Sequence, residues 1–173
     1  MAWNIDKAHT DLGFAVKHMM ISTVRGKFTA FEADVSLDPA NLEAAKVSAR
    51  IDVASINTGE DKRDGHLKSA DFFDAEKFPN ITFTSTKVKR SGDDVEVTGN
   101  LKIRDQEHAI VLKGEVTGPG KDPWGGTRVG FSLSGEIDRE QWGLKWNQAL
   151  ETGGVLVGKK VKLVLETQLV QSA

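Results

Sequence analysis

His66 is the residue in this sequence best surrounded for chemistry: it stands in the run Arg63-Asp64-Gly65-His66-Leu67-Lys68-Ser69-Ala70-Asp71. Histidine beside aspartate is a pairing used in general acid–base catalysis, so a hydrolase or isomerase working through His66 with Asp64 or Asp71 is one reading. Spacing weakens it. Residues two apart on a helix point roughly 200° away from each other, which separates Asp64 from His66. No second histidine lies three to five residues from His66, as a helical or loop metal site would require. The plainer role is local, with these charges fixing a short broken helix. His18 poses the same choice, between donating to a ligand head group and satisfying a backbone carbonyl.

Other chemistries lack their residues. There is no cysteine, which removes thiolate catalysis, disulfides and cysteine-bound clusters. No Gly-x-Ser-x-Gly elbow occurs. Gly125-Gly126 and Gly153-Gly154 are not followed by Lys-Ser or Lys-Thr at phosphate-loop spacing. No motif here assigns catalytic residues, metal ligands or a cofactor. A formal net charge of -2 offers no broad positive field, so nucleic acid is not an expected partner.

The longest apolar run, Ala109 to Leu112, is far short of the roughly 20 residues that span a bilayer, so no transmembrane segment is expected. Asp6, Asp11 and Lys17 interrupt any apolar signal region. The expected location is cytoplasmic as written, or periplasmic if the chain is a mature form carrying a new Met1.

The elements that position these residues are mostly strands, because apolar residues recur with period two. Leu12, Phe14, Val16 and His18 share one face, as do Phe31, Ala33, Val35 and Leu37. Val47, Ala49, Ile51 and Val53 form a third such face, and Val95, Val97, Gly99, Leu101 and Ile103 a fourth. His108, Ile110 and Leu112, then Val129, Phe131, Leu133 and Ile137, then Val161, Leu163, Leu165 and Leu169 complete the clear runs, with Ile81 and Phe83 opening another. Asp38-Pro39, Ser91-Gly92-Asp93-Asp94, Gly118-Pro119-Gly120 and the stretch from Asp122 to Gly126 read as turns. A short broken helix is expected near residues 58–74, with Thr58 as its cap and Asp61 in its first turn. The stretch from Asp138 to Gly158 is irregular, and residues 1–173 form one domain without a visible boundary.

About eight strands with one apolar face each, and too few helical residues to cover them, must cover themselves. A two-sheet sandwich and a closed antiparallel barrel both achieve this. Small inward residues, Ala33, Ala49, Ser85, Gly99, Gly114 and Gly135, favour a hollow barrel. Strand glycines also serve bulges and solid packing, which leaves a filled core and a plain interaction module open. Trp124 and Trp142 read as barrel plugs, and Trp146 as either plug or ligand contact. Arg25, Lys27, Arg128 and Arg139 are candidate rim cations or merely solvated charges.

The ordered runs Gly13-Phe14-Ala15-Val16-Lys17-His18, Val24-Arg25-Gly26-Lys27-Phe28, Ser55-Ile56-Asn57-Thr58-Gly59 and Arg63 through Phe73 resemble the YceI-like family of lipocalin-like polyisoprenoid-binding proteins. Phe78-Pro79, Asp138-Arg139, Gly143-Leu144 and Val157-Gly158 continue the resemblance nearly end to end. Arg104 to Ala109 lacks the usual Gly and Pro, and Trp142 replaces a more usual Phe. The resemblance implies an all-β antiparallel lipocalin-like barrel that binds, carries or stores a polyisoprenoid, isoprenoid quinone or prenyl phosphate without catalysis. It also suggests pairing into a homodimer. Combined with the strand faces, it puts the ligand against Phe14, Val16, His18, Phe31, Ala33, Ala49, Ile51, Leu67, Phe72, Phe83, Gly99, Leu101, Phe131, Leu133, Trp146 and Leu163.

Overall fold

Period-two sequence produces period-two structure: eleven antiparallel strands and one α-helix account for most of the chain. The structure, a computed structural model, describes residues 3–151 and 153–171, so Met1 lies outside it. The strands are β1 (Asn4–Ile5), β2 (Asp11–His18), β3 (Ser22–Phe28), β4 (Phe31–Ser36), β5 (Lys46–Asp52), β6 (Ile56–Asn57), β7 (Asn80–Ser91), β8 (Asp94–Ile103), β9 (Gln106–Lys121), β10 (Thr127–Asp138) and β11 (Val157–Gln171). They hydrogen-bond in the order β4-β5-β7-β8-β9-β10-β11-β2-β3-β6, with β1 added to the far half of β11. The sheet curls on itself as a lipocalin-like barrel.

The expected count of about eight omits β3, β1 and β6. In β3 the inward positions are Val24, Gly26 and Phe28, and the glycine interrupts the apolar signal. That glycine is required, because a Cβ there would stand 2.4 Å from Cζ of Phe14. Only Thr29 and Ala30 separate β3 from β4, and both are tied across the rim: Thr29 N–H donates to Ser55 O, and Asp52 N–H donates to Ala30 O at 2.9 Å. β3 and β4 thus act as one bent strand, its first half paired with β2 and its second with β5. Setting aside the two-residue strands β1 and β6, eight staves remain.

Besides the first half of β3, which lies beyond the two pairs that Lys27 and Phe28 make with β6, closure is incomplete at the far end. Among the described residues no backbone hydrogen bond joins β4 to β1. Lys7, in the 3-10 turn after β1, instead reaches Glu32 on β4 at 2.7 Å and lies over the Phe31 ring.

The helix α1 (Asp61–Lys68) falls within the expected stretch, and Asp61 does sit in its first turn. Its cap differs. Glu60 accepts from Arg63 N–H at 2.7 Å, while Thr58 donates through both N–H and Oγ1 to the buried Asp64 carboxylate. A longer acidic side chain next to the helix outcompeted the threonine for the free amide. Gly118-Pro119-Gly120 also departs from its turn reading: it lies within β9, beside the register shift between Arg128 and Gly130.

Two apolar clusters divide the interior. One gathers Trp3, Leu42, Val88, Val97, Val129 and Leu169 at the end where β7 and β8 meet; the other gathers Val53, Phe72, Ile81, Ile103, Trp142 and Leu144 at the end roofed by α1 and the 139–157 segment.

Candidate functional site

Between these clusters runs a cavity of about 670 Å³, inside the roughly 300–1,000 Å³ range of small-molecule sites. The interior is therefore hollow, and the sandwich with a solid core does not describe it. Of the residues predicted to meet a ligand, Phe14, Val16, His18, Phe31, Ala33, Ala49, Ile51, Leu67, Phe72, Phe83, Leu101, Phe131, Leu133, Trp146 and Leu163 all line this space.

Gly99 does not. The ring of Phe83 covers it, and a Cβ would fall 2.4 Å from Phe83 Cζ and 2.7 Å from Thr84 O. Gly114 is small for a similar reason, with Ser132 O in the way of any side chain. A Cβ on Gly135 would fall 2.7 Å from Val111 O, and Ser85 Oγ accepts from Val47 N–H at 2.9 Å. Only Ala33 and Ala49 of the small inward set open the hollow. They face each other across the β4–β5 ladder, where two larger side chains would meet in the lumen.

The polar lining is concentrated at one end. Lys17 and His18 at the close of β2, Thr58 and Glu60 before α1, Lys62, Arg63 and His66 on it, and Arg139 frame a mouth with Trp146, Leu156 and Val157. Arg63 is fixed by donating from Nε and Nη2 to Thr58 Oγ1 and O. Arg139 is buried, and that burial pulls its pKa down; its guanidinium donates to the carbonyls of Leu144, Gly158 and Val157. It thus stitches the 143–158 segment to the barrel. Lys17 and Lys62 enter no ion pair among the described residues. Sequence reasoning passed over both, since each reads as an ordinary solvated lysine.

His66 Nε2 and Asp71 Oδ2 are 2.9 Å apart, and the imidazole sits edge-on to Phe72 and Trp146, with centroids at 5.1 and 4.6 Å. Asp64 is turned away to Thr58. Ser69 Oγ donates to the His66 carbonyl rather than to its ring, so the pair activates no hydroxyl there. No group of three or more metal-ligating side chains converges among the described residues.

Two aromatic readings separate. Trp142 is a plug, 1% exposed, its Nε1 donating to Leu101 O at 2.8 Å. Trp124 is not, being 80% exposed at the β9–β10 turn, where Asp122 accepts the turn's N–H groups and leaves the indole outside. Arg25 and Lys27 are exposed side chains on β3. Arg128 lies at the opposite end, donating to Asp6 at 2.7 Å and Asp122 at 2.9 Å. That guanidinium and His9 hold the Asp6 carboxyl down to about 2.

An antiparallel barrel enclosing an apolar cavity, with most of its polar side chains collected at one mouth, defines a lipocalin-like ligand-binding architecture. A family model described as the YceI-like domain matches residues 3–169, and the chain belongs to that family. It is 40% identical over 161 residues to a UPF0312 protein of Staphylococcus epidermidis, covering 92% of each chain, and 41% identical over the same length to one of Staphylococcus aureus. Among solved structures it is similar to a Campylobacter jejuni YceI protein, with 36% identity, TM-score 0.78 and coverage of 97% and 96% of the two chains. A polyisoprenoid-binding domain from Saccharophagus degradans shares the fold, with TM-score 0.71 at 16% identity and 98% of each chain covered.

Proposed function

We propose that this protein binds a long apolar amphiphile, a polyisoprenoid, isoprenoid quinone or prenyl phosphate, without transforming it, for carriage or storage. One observation carries the reading: the cavity of about 670 Å³ is walled almost wholly by apolar side chains, with its polar groups, Thr167 apart, gathered at the mouth. A tail running from Trp146 toward Leu42 loses its contact with water along its length. At ~0.8 kcal/mol per buried methylene, ten of them supply a gross ~8 kcal/mol, a micromolar scale before ordering costs. The head group then rests among Lys17, Lys62 and Arg63. The name of the Saccharophagus degradans neighbour agrees with such a guest, although its identity supports the shared fold alone.

Mass spectrometry of organic extracts from natively purified protein tests the reading, with a stoichiometric prenyl chain as the expected result. Ala33→Trp and Ala49→Trp each fill the lumen and should lower apolar-dye uptake at least about tenfold while the barrel stays folded, since the indole displaces most of a guest's volume. Absence of extractable lipid, with full dye uptake by both folded variants, refutes the proposal. His66→Ala should leave uptake within about threefold, its ring being only one contact at the mouth.

A further inference from the structure

The β2–β3 hairpin forms part of the rim. β3 pairs with β6 only through Lys27 and Phe28, so from Ser22 to Gly26 one edge of the hairpin has no strand beside it among the described residues. Its tip carries three apolar residues in succession, Met19, Met20 and Ile21, exposed by 44%, 60% and 83%.

Neither the turn nor the core accounts for them. Ile21 N–H donates to His18 O at 3.3 Å, and Met19 and Met20 both have left-handed backbone, at φ 55° and 64°. Such a two-residue turn forms with least strain from Asn and Gly, which are also the soluble choice. Consecutive exposed apolar side chains are otherwise kept off protein surfaces.

The tip is continuous with the mouth. Met19 N–H donates to Leu156 O at 2.7 Å, and Leu156 lines the cavity. Met20 Cγ lies 3.0 Å from where a Cβ on Gly154 would stand, so its side chain rests on that glycine. Lys17, at the close of β2, and Lys62, on α1, line the same cavity and are free of ion pairs among the described residues, while Glu60 is engaged in capping α1.

We propose that this tip docks the mouth onto an anionic lipid bilayer, with Met19, Met20 and Ile21 entering the acyl boundary and Lys17 and Lys62 facing the head groups. An amphiphile then passes between bilayer and cavity without crossing water. This role rests on the amphiphile-binding reading above. A net charge of -2 gives no long-range attraction, so docking is short-range, driven by the apolar tip and oriented by the local cations.

The test is co-sedimentation of the full chain with vesicles of phosphatidylcholine and phosphatidylglycerol, beside vesicles of phosphatidylcholine alone. Wild type should sediment with the mixed vesicles and more weakly with the neutral ones. The Met20→Asp, Ile21→Asp double variant should bind at least about tenfold more weakly, as expected when a charge replaces inserted apolar groups. Trp124→Asp, a change at a different exposed tip, should bind like wild type. All three should take up apolar dye from solution equally, since none of the altered residues lines the cavity.

Wild type remaining in the supernatant overturns the proposal, as does a double variant that sediments like wild type. Equal loss in Trp124→Asp or equal binding to neutral vesicles also overturns it. So does wild-type dimerisation abolished by the double substitution, which would assign the tip to a second copy. Wild type that sediments yet takes no dye would instead defeat the cavity reading and uphold the bilayer contact.

Discussion

The two ends of the barrel spend their charges differently. At the closed end Arg128 is committed to Asp6, Asp122 and Gln168, and Asp6 also accepts from Ala8 N–H, so these three charges are paired within the wall. At the open end Arg139 and Arg63 are spent on carbonyl and hydroxyl oxygens that hold the roof, while Lys17 and Lys62 are left without an ion-pair partner among the described residues. The contrast separates charges that lock the fold from charges available to a guest. Aromatic rings divide in the same way. Trp3 is buried in the closed-end cluster, whereas His66, Phe72 and Trp146 form a stack that borders the lumen.

Removing a seal from each end gives the largest expected effects. Trp142→Ala deletes a 1%-exposed indole together with its hydrogen bond to Leu101 O and should lower unfolding free energy by about 3–5 kcal/mol in denaturant titration. Leu42→Ala, at the other end, should cost about 2–5 kcal/mol and lengthen the hollow, admitting longer prenyl chains. A loss under about 1 kcal/mol at Leu42 would show that the closed end is not sealed by packing, and the contrast would fail.

Acid sharpens the comparison next. The folded Asp6 carboxyl is depressed from an ordinary 3.8 to about 2, chiefly by Arg128 and then His9. A depressed carboxylate contributes stability that is complete above its unfolded value and is lost as pH falls through the folded one, here between roughly 4 and 2. Asp6→Asn should flatten the stability profile in that window. An unchanged profile would remove Arg128–Asp6 from the closed-end lock. The smallest effect is expected at Gly65, within α1, where nothing lies within 4 Å of the position a methyl group would take. Gly65→Ala should raise stability by about 0.4–1 kcal/mol without altering dye uptake.

Much of the wall was legible because alternation states directly which side chains share a face. Phe14, Phe31, Ala49 and Leu163 needed nothing more to be placed inside. What alternation omits is depth. It cannot tell that Ala33 and Ala49 leave room while Gly99 yields its room to the Phe83 ring, since both patterns are small residues facing inward. It also missed β3, where Gly26 accommodates Phe14 from the neighbouring strand, a relation set by sheet register rather than by local sequence. The mouth was least visible. Lys17 reads as an outward position on β2, yet beside the register shift between Val157 and Val161 of β11 both it and His18 border the lumen.

The gap between β4 and β1 gives the barrel an expansion joint. Along the ladder from β5 through β11 to β2, greater girth would require breaking a row of backbone hydrogen bonds, but between β4 and β1 the fastening includes the exposed Lys7–Glu32 ion pair, the kind usually worth less than about 1 kcal/mol. Under the proposed amphiphile-binding role, a bulkier tail is accommodated more cheaply by parting that stave than by unzipping a paired strand, so tolerance for guests of different thickness follows how far this joint yields as well as the lumen at rest.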